Sequence, residues 1–188
     1  MMKKTVVIFP GIGYHADKPL LYYGRKAAAE AGYTDVILIS YSYSGGDIRG
    51  NREKMREAFD SIYAQAKEQL DRLLPADSDE ILFMSKSIGT IVAAAYAKEF
   101  GRDNQKIRHV LCTPLEETFM FAPENAAAFI GTEDPWSNVP KVIGMAQEQG
   151  IPISVYEGMN HSLERADVME NLKVLQDVIQ KTKDFCRG

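Results

Sequence analysis

The stretch Ile81-Leu82-Phe83-Met84-Ser85-Lys86-Ser87-Ile88-Gly89-Thr90-Ile91-Val92 constrains this chain more than any other. Its first four residues form a short apolar run, which reads as a buried strand. A knot of small residues follows, Ser85 to Gly89, and then an alanine-rich helical pattern from Ile91 to Phe100. A strand that feeds a helix through so few residues must turn sharply. Small side chains must flank the apex, because strand and helix pass close together there. Such a turn lifts a serine hydroxyl off the sheet edge and aims the first backbone N–H groups of the helix at the same spot.

The rest of the sequence repeats this alternation. Thr5 to Phe9 is apolar on both faces, as a central parallel strand requires, and Pro10-Gly11-Ile12-Gly13 ends it. A helix is expected from about Pro19 to Ala31, with Pro19 in its first turn and Gly32 at its end. Val36 to Ser40 reads as the second strand. Asn51 to Leu74 reads as a long helix whose apolar positions Met55, Phe59, Ile62, Ala66, Leu70 and Leu73 step by three and four. Further strands are expected at Ile107 to Thr113, Ala126 to Ile130 and Ile151 to Tyr156. Helices are expected at Val139 to Gln149 and Glu164 to Phe185, the last with Val168, Leu172, Leu175, Val178 and Ile179 on one face. Leu115 to Pro123 is left as a short apolar-acidic connection. This pattern predicts an α/β three-layer sandwich, with a mostly parallel six-stranded sheet and helices on both faces. No repeat or linker divides residues 1–188, so one domain is expected.

Composition narrows the function classes. The net charge of −4 and the lack of a Lys/Arg block disfavour a nucleic-acid partner. No apolar run approaches the roughly 20 residues that span a bilayer, and the N-terminal apolar run breaks at Pro10-Gly11, too soon for a signal peptide. The chain is therefore expected to be cytoplasmic, without a membrane partner. Cys112 and Cys186 are far apart and have no metal-ligand spacing. No metal or cofactor is expected, and the partner is a small-molecule substrate. Oligomeric state is left open.

Four places carry a family resemblance: Phe9-Pro10-Gly11-Ile12-Gly13, Ser85 to Gly89, Gly131-Thr132-Glu133-Asp134-Pro135 and Gly158-Met159-Asn160-His161-Ser162. In this order, each after an expected strand, they resemble the α/β-hydrolase superfamily, in particular its small, lidless, dienelactone-hydrolase-like members. Two departures stand out. Ser85 replaces the first glycine of the G-x-S-x-G pattern, while Gly89 keeps the second, and Pro10 replaces the histidine common before Gly11. The resemblance implies the minimal fold of that superfamily, without its leading antiparallel hairpin and without a cap domain.

The chemistry follows from residue type and place. In an open parallel sheet, sites gather beyond the carboxyl ends of the strands. Ser87, Asp134 and His161 follow the third, fifth and sixth strands, in the order nucleophile, acid, histidine. A serine hydroxyl is a weak nucleophile until a neutral imidazole takes its proton, and a carboxylate fixes the tautomer of that imidazole. Ser87 also fits a plain helix N-cap, and Asp134 a turn before Pro135. Ser85 is the competing serine, placed nearer the strand and expected to pack against the helix. Glu133 is the competing acid, and the resemblance, through a G-x-x-D pattern, favours Asp134. His15 and His109 are poorer bases, one in the first loop and one opening a strand. By resemblance, the backbone N–H groups of Ile12 and Ile88 form the oxyanion hole. Tyr14, Leu115, Phe119 and Trp136, with Tyr41 and Met120, lie in loops near the expected site edge and are candidates for its lining. Lys86 is expected to be a solvated neighbour.

The expected activity is that of a serine hydrolase cleaving a small ester or thioester through an acyl-serine intermediate. Two other readings compete. One is a non-catalytic ligand-binding protein on a hydrolase fold. The other is a Rossmann-type dinucleotide binder, because Gly11-Ile12-Gly13-Tyr14-His15-Ala16 fits G-x-G-x-x-[GA]. Against the last, the second strand ends in Ile39-Ser40-Tyr41-Ser42, with no acid for a ribose.

Overall fold

A computed structural model describes residues 2–100 and 106–188 of the chain. Its strands are β1 (Lys4–Phe9), β2 (Asp35–Leu38), β3 (Glu80–Lys86), β4 (Lys106–Cys112), β5 (Ala126–Gly131) and β6 (Ile153–Tyr156). They form one sheet in the order β2-β1-β3-β4-β5-β6, and every pairing is parallel. The helices are α1 (Pro19–Glu30), α2 (Arg52–Leu73), α3 (Ile88–Phe100), α4 (Val139–Glu148) and α5 (Val168–Arg187), with a 3-10 helix at Glu116–Phe121.

Alternation along the central strands assigns the helices to two layers. Val7 and Phe9 of β1, with Ile81 and Phe83 of β3, point toward α2 and α3. Val6, Ile8, Leu82 and Met84 point the other way, into a cluster that includes Leu21 of α1 and Val178 of α5. Further along, Leu111, Ala128 and Ile130 pack with Val142 and Ala146 of α4. Both faces of β1 and β3 are thus covered, which explains why these strands read as unbroken apolar runs. The three-layer sandwich matches the expectation.

Several boundaries moved, for identifiable reasons. β3 runs past Met84 to Lys86, because β4 offers a parallel ladder out to Cys112. The connection after β4 coils into a 3-10 helix, closed by Ala122 at φ 48°. The last helix starts at Val168 rather than Glu164, since the Asp167 side chain accepts the N–H groups of Met169 and Glu170 and fixes the N-terminus there. Its buried residues are Val178, Thr182 and Cys186, while Val168 and Leu172 are exposed. In α2, Leu73 likewise faces solvent, and the next residue, Leu74, is buried instead.

The order β2-β1-β3 places a reversal of strand order at β1. The chain leaves β1 toward β2 on one side and returns to β3 on the other. Loops at the carboxyl ends of β1 and β3 therefore diverge and leave a crevice between them, the general location of ligand sites in such sheets.

Candidate active site

Ser87 stands at the end of β3 with φ 56°, in the left-handed region that side chains other than glycine seldom adopt. Such strain persists only where the surroundings enforce it. Here the Ser87 N–H donates to the Cys112 carbonyl at 3.1 Å, and the Ser87 carbonyl accepts from Thr90 N–H at 2.8 Å and from the Thr90 hydroxyl at 2.6 Å. Gly89 makes the turn possible. A Cβ there would lie 2.5 Å from the Pro10 carbonyl oxygen and 2.6 Å from that of Phe9, so only glycine lets α3 pass the end of β1.

The imidazole of His161 links two groups from elsewhere in the chain. Its Nε2 is 2.7 Å from Ser87 Oγ, and its Nδ1 is 2.7 Å from Asp134 Oδ2. The other Asp134 oxygen accepts the Trp136 N–H at 2.9 Å, which fixes the carboxylate plane. Asp134 is buried, and Trp136 lies beside the imidazole with ring centroids 5.7 Å apart. Two loops are stitched together to hold this arrangement. Glu133 N–H donates to the Met159 carbonyl at 3.0 Å, Thr132 N–H to the Tyr156 carbonyl at 3.0 Å, and Gly158 N–H to the Thr132 hydroxyl at 2.8 Å.

The alternatives separate by position. Ser85 is fully buried and donates its hydroxyl to the Val110 carbonyl at 3.2 Å, so it packs against the neighbouring strand rather than the helix. Glu133 is exposed, next to the buried Asp134. His109 is buried in β4 against Phe83, and burial pushes its pKa down to about 4. His15 is exposed in the loop after β1.

Burial lowers the pKa of His161. The hydrogen bond that Nδ1–H donates to Asp134 opposes this, and the charge of Lys86 adds to the lowering. The imidazole is thus held neutral near neutral pH, as a proton acceptor must be. Lys86 corrects the expectation of a solvated neighbour. It is 1% exposed, its Nζ sits 5.0 Å from the centroid of the Tyr14 ring, and burial lowers its pKa to about 8. Sequence reasoning missed it because a lysine between two serines reads as polar. The added length of β3 is what turns it inward.

The loop after β1 closes on itself, with Gly11 N–H donating to the Tyr14 carbonyl at 3.1 Å and Tyr14 N–H to the Gly11 carbonyl at 3.2 Å. Gly11 lies against Ser87, whose Cβ would be 3.2 Å from a Cβ at that position. The glycine here accommodates Ser87, and α1 begins only at Pro19 rather than directly after the glycines. Ile12 of this loop and Ile88, the first residue of α3, both border the cleft around Ser87. The N–H of Ile88 is among those that a helix leaves without an intrahelical acceptor.

That cleft has a volume of about 540 Å³. Of the expected lining residues, Tyr14, Leu115 and Trp136 border it. Phe119 does not. The 3-10 helix turns its ring inward, 2% exposed, into the cluster with α4. Tyr41 also serves another purpose, since its hydroxyl donates to the Pro10 carbonyl and braces the loop that carries Ile12. Ile48 and Met55 border the cleft and were not anticipated as such. Ile48 sits in a loop that also holds Ile39, Tyr41 and Tyr43, and Met55 fits the core stripe of α2 in sequence.

Among the described residues, no group of three or more His, Cys, Asp or Glu side chains could hold a metal ion, and no helix is long and apolar enough to cross a membrane. No protein-family model matches the chain, and no curated protein matches it in sequence. Solved structures do match. An α/β serine hydrolase homologue from Coxiella burnetii is 13% identical, with 95% of this chain and 84% of that chain covered and a TM-score of 0.62. The esterase PF2001 from Pyrococcus furiosus is 14% identical over 98% and 81% of the two chains, with a TM-score of 0.62. Est1E from Butyrivibrio proteoclasticus, with ferulic acid bound, is 10% identical over 98% and 88%, with a TM-score of 0.65. At these identities the likeness is one of architecture, and that architecture is the minimal α/β-hydrolase fold.

Proposed function

We propose that this protein is a metal-independent serine hydrolase of the small, lidless, dienelactone-hydrolase-like kind, cleaving an ester or thioester through an acyl-serine intermediate. The observation that carries the reading is the single imidazole of His161, within 2.7 Å of both Ser87 Oγ and Asp134 Oδ2. In the first half-reaction, Ser87 Oγ attacks the acyl carbonyl carbon while His161 Nε2 takes its proton. Asp134 holds the Nδ1–H tautomer and stabilises the imidazolium. The N–H groups of Ile12 and Ile88 donate to the developing oxyanion. His161 then gives its proton to the departing alcohol or thiol. In the second half-reaction, water gives its proton to His161, attacks the acyl-serine, and Ser87 leaves with that proton. The esterase and serine-hydrolase descriptions of structures with the same fold agree with this chemistry.

A fluorophosphonate probe tests it, followed by peptide mass mapping on wild type, Ser87→Ala and His161→Ala. Stoichiometric label on Ser87, lost in the first variant and slowed on the order of 10⁴-fold in the second, is the expected result. Absence of label on the folded wild type favours a ligand-binding protein instead, and label on Ser85 moves the nucleophile.

A further inference from the structure

The cleft around Ser87 has a neighbour. A second hollow, of about 710 Å³, lies between α2 and the 3-10 helix, and Met55 borders both. Three elements carry the lining from one to the other, by about one turn on α2 and α3 and by nearly two turns on the 3-10 helix. On α2, Met55 at the junction is followed by Phe59 in the groove. On α3, Ile88 in the cleft is followed by Ile91 in the groove. On the segment after β4, Leu115 in the cleft is followed by Met120 and Phe121 in the groove. Four residues of helix advance about 6 Å, so the groove extends the cleft by roughly that length. Phe59 and Phe121 stack with centroids 6.1 Å apart, and Met120 is 65% exposed beside them. The rest of the lining is charged with both signs, Arg52, Glu53, Arg56, Asp60 and Glu117, with Arg56 and Asp60 4.0 Å apart.

We propose that this groove receives the acyl chain of the substrate, so that the protein selects esters or thioesters of unbranched aliphatic acids of medium length. The inference rests on Ser87 being the nucleophile. An uncharged, flexible chain suits the groove for three reasons. The apolar part of its lining is Met55, Phe59, Ile91, Met120 and Phe121, and the residue it shares with the cleft, Met55, is unbranched and adaptable. The charged residues of the lining, of both signs, favour neither a cationic nor an anionic tail. The alternative occupant of an exposed Met120, a second protein surface, does not account for the continuity of the lining with Ser87 along three elements.

The test is kcat/KM for p-nitrophenyl acetate, butyrate, octanoate and dodecanoate, on wild type, Met55→Trp and Met120→Asp, with fluorophosphonate labelling of Ser87 and light scattering in parallel. In wild type, kcat/KM is expected to rise about fourfold for each methylene that enters the groove, from butyrate toward octanoate, and then level off. Met55→Trp closes the junction and collapses the octanoate-to-acetate ratio. Met120→Asp changes an exposed residue with little demand on folding, and lowers that ratio about fifteenfold, the burial of two methylenes. A flat chain-length profile, or a ratio unmoved in both variants, with Ser87 labelled, overturns the groove and leaves the serine-hydrolase reading standing. A wild-type dimer dissociated by Met120→Asp with the ratio unchanged overturns it in favour of a protein interface. No label and no turnover overturn both readings together.

Discussion

Gly131→Ala probes whether the two stitched loops set the reaction geometry. Gly131 ends β5, and a Cβ built on it would lie 2.1 Å from the Met159 carbonyl oxygen, 2.6 Å from the Met159 carbonyl carbon and 2.9 Å from the Asn160 carbonyl oxygen. All three atoms are backbone, just before His161, so no side-chain rotation relieves the clash. The nearest contact falls about 1.3 Å short of the 3.4 Å at which ordinary packing begins. The central sheet cannot yield that much without breaking its ladder, so the loop of residues 157–161 must move. A shift of that size carries the 2.7 Å contact between His161 and Ser87 beyond the ~3.2 Å reach of a productive hydrogen bond. It also strains the bond from Glu133 N–H to the Met159 carbonyl. A misplacement of about 1 Å costs on the order of 10²-fold in rate. Overpacking costs about 1–3 kcal/mol of stability, or roughly 2–12 °C in Tm for a chain of this size. The assay is the rate of fluorophosphonate labelling at Ser87, read well below the Tm that calorimetry gives for the variant. A folded Gly131→Ala protein that labels at the wild-type rate refutes the reasoning, because the loop would then have moved without moving the imidazole.

Two further predictions concern residues behind the reacting atoms. Lys86→Met removes a charge that lowers the pKa of His161, so that pKa rises and the acid limb of kcat/KM moves to higher pH. The folded-state pKa of Lys86, about 8, lies below its ordinary value of 10.5. Between those values the unfolded chain binds more protons, and wild type gains stability as pH rises through that window. The variant is expected to lose this gain and to melt higher than wild type at pH 7, as calorimetry at pH 7 and pH 9.5 would show. Tyr41→Phe releases the Pro10 carbonyl from its hydroxyl donor, costs about 1 kcal/mol in denaturant titration, and lowers kcat more than it raises KM, because the loop it braces holds the Ile12 N–H.

What was legible in the sequence followed from patterns that physics enforces locally. The strand, knot and helix around Ser87 left few foldable options, and the apolar runs of β1 and β3 marked central strands. The assignments that moved depended on distant partners. Phe119 read as a loop aromatic, and only the 3-10 turn decided that its ring points toward α4. Val168 and Leu172 fit a helical stripe but lie exposed in the first turns of α5, and the cluster that includes α1 takes in Leu175, Val178 and Cys186 further along. Lys86 became buried because β4 extended the ladder past the expected strand end. The continuity between cleft and groove was invisible, since it needs the relative placement of three segments that share no sequence pattern.

The strand order has a consequence for synthesis. From β3 onward each new strand adds to the same growing edge, β4, β5 and then β6, so the sheet can assemble in the direction in which a ribosome delivers it. Ser87 and Asp134 belong to the earlier strands, and His161 comes only after the last one. On the proposed serine-hydrolase reading, a nascent chain would carry Ser87 without its imidazole until β6 has docked, so topology alone would keep it from acylating during translation.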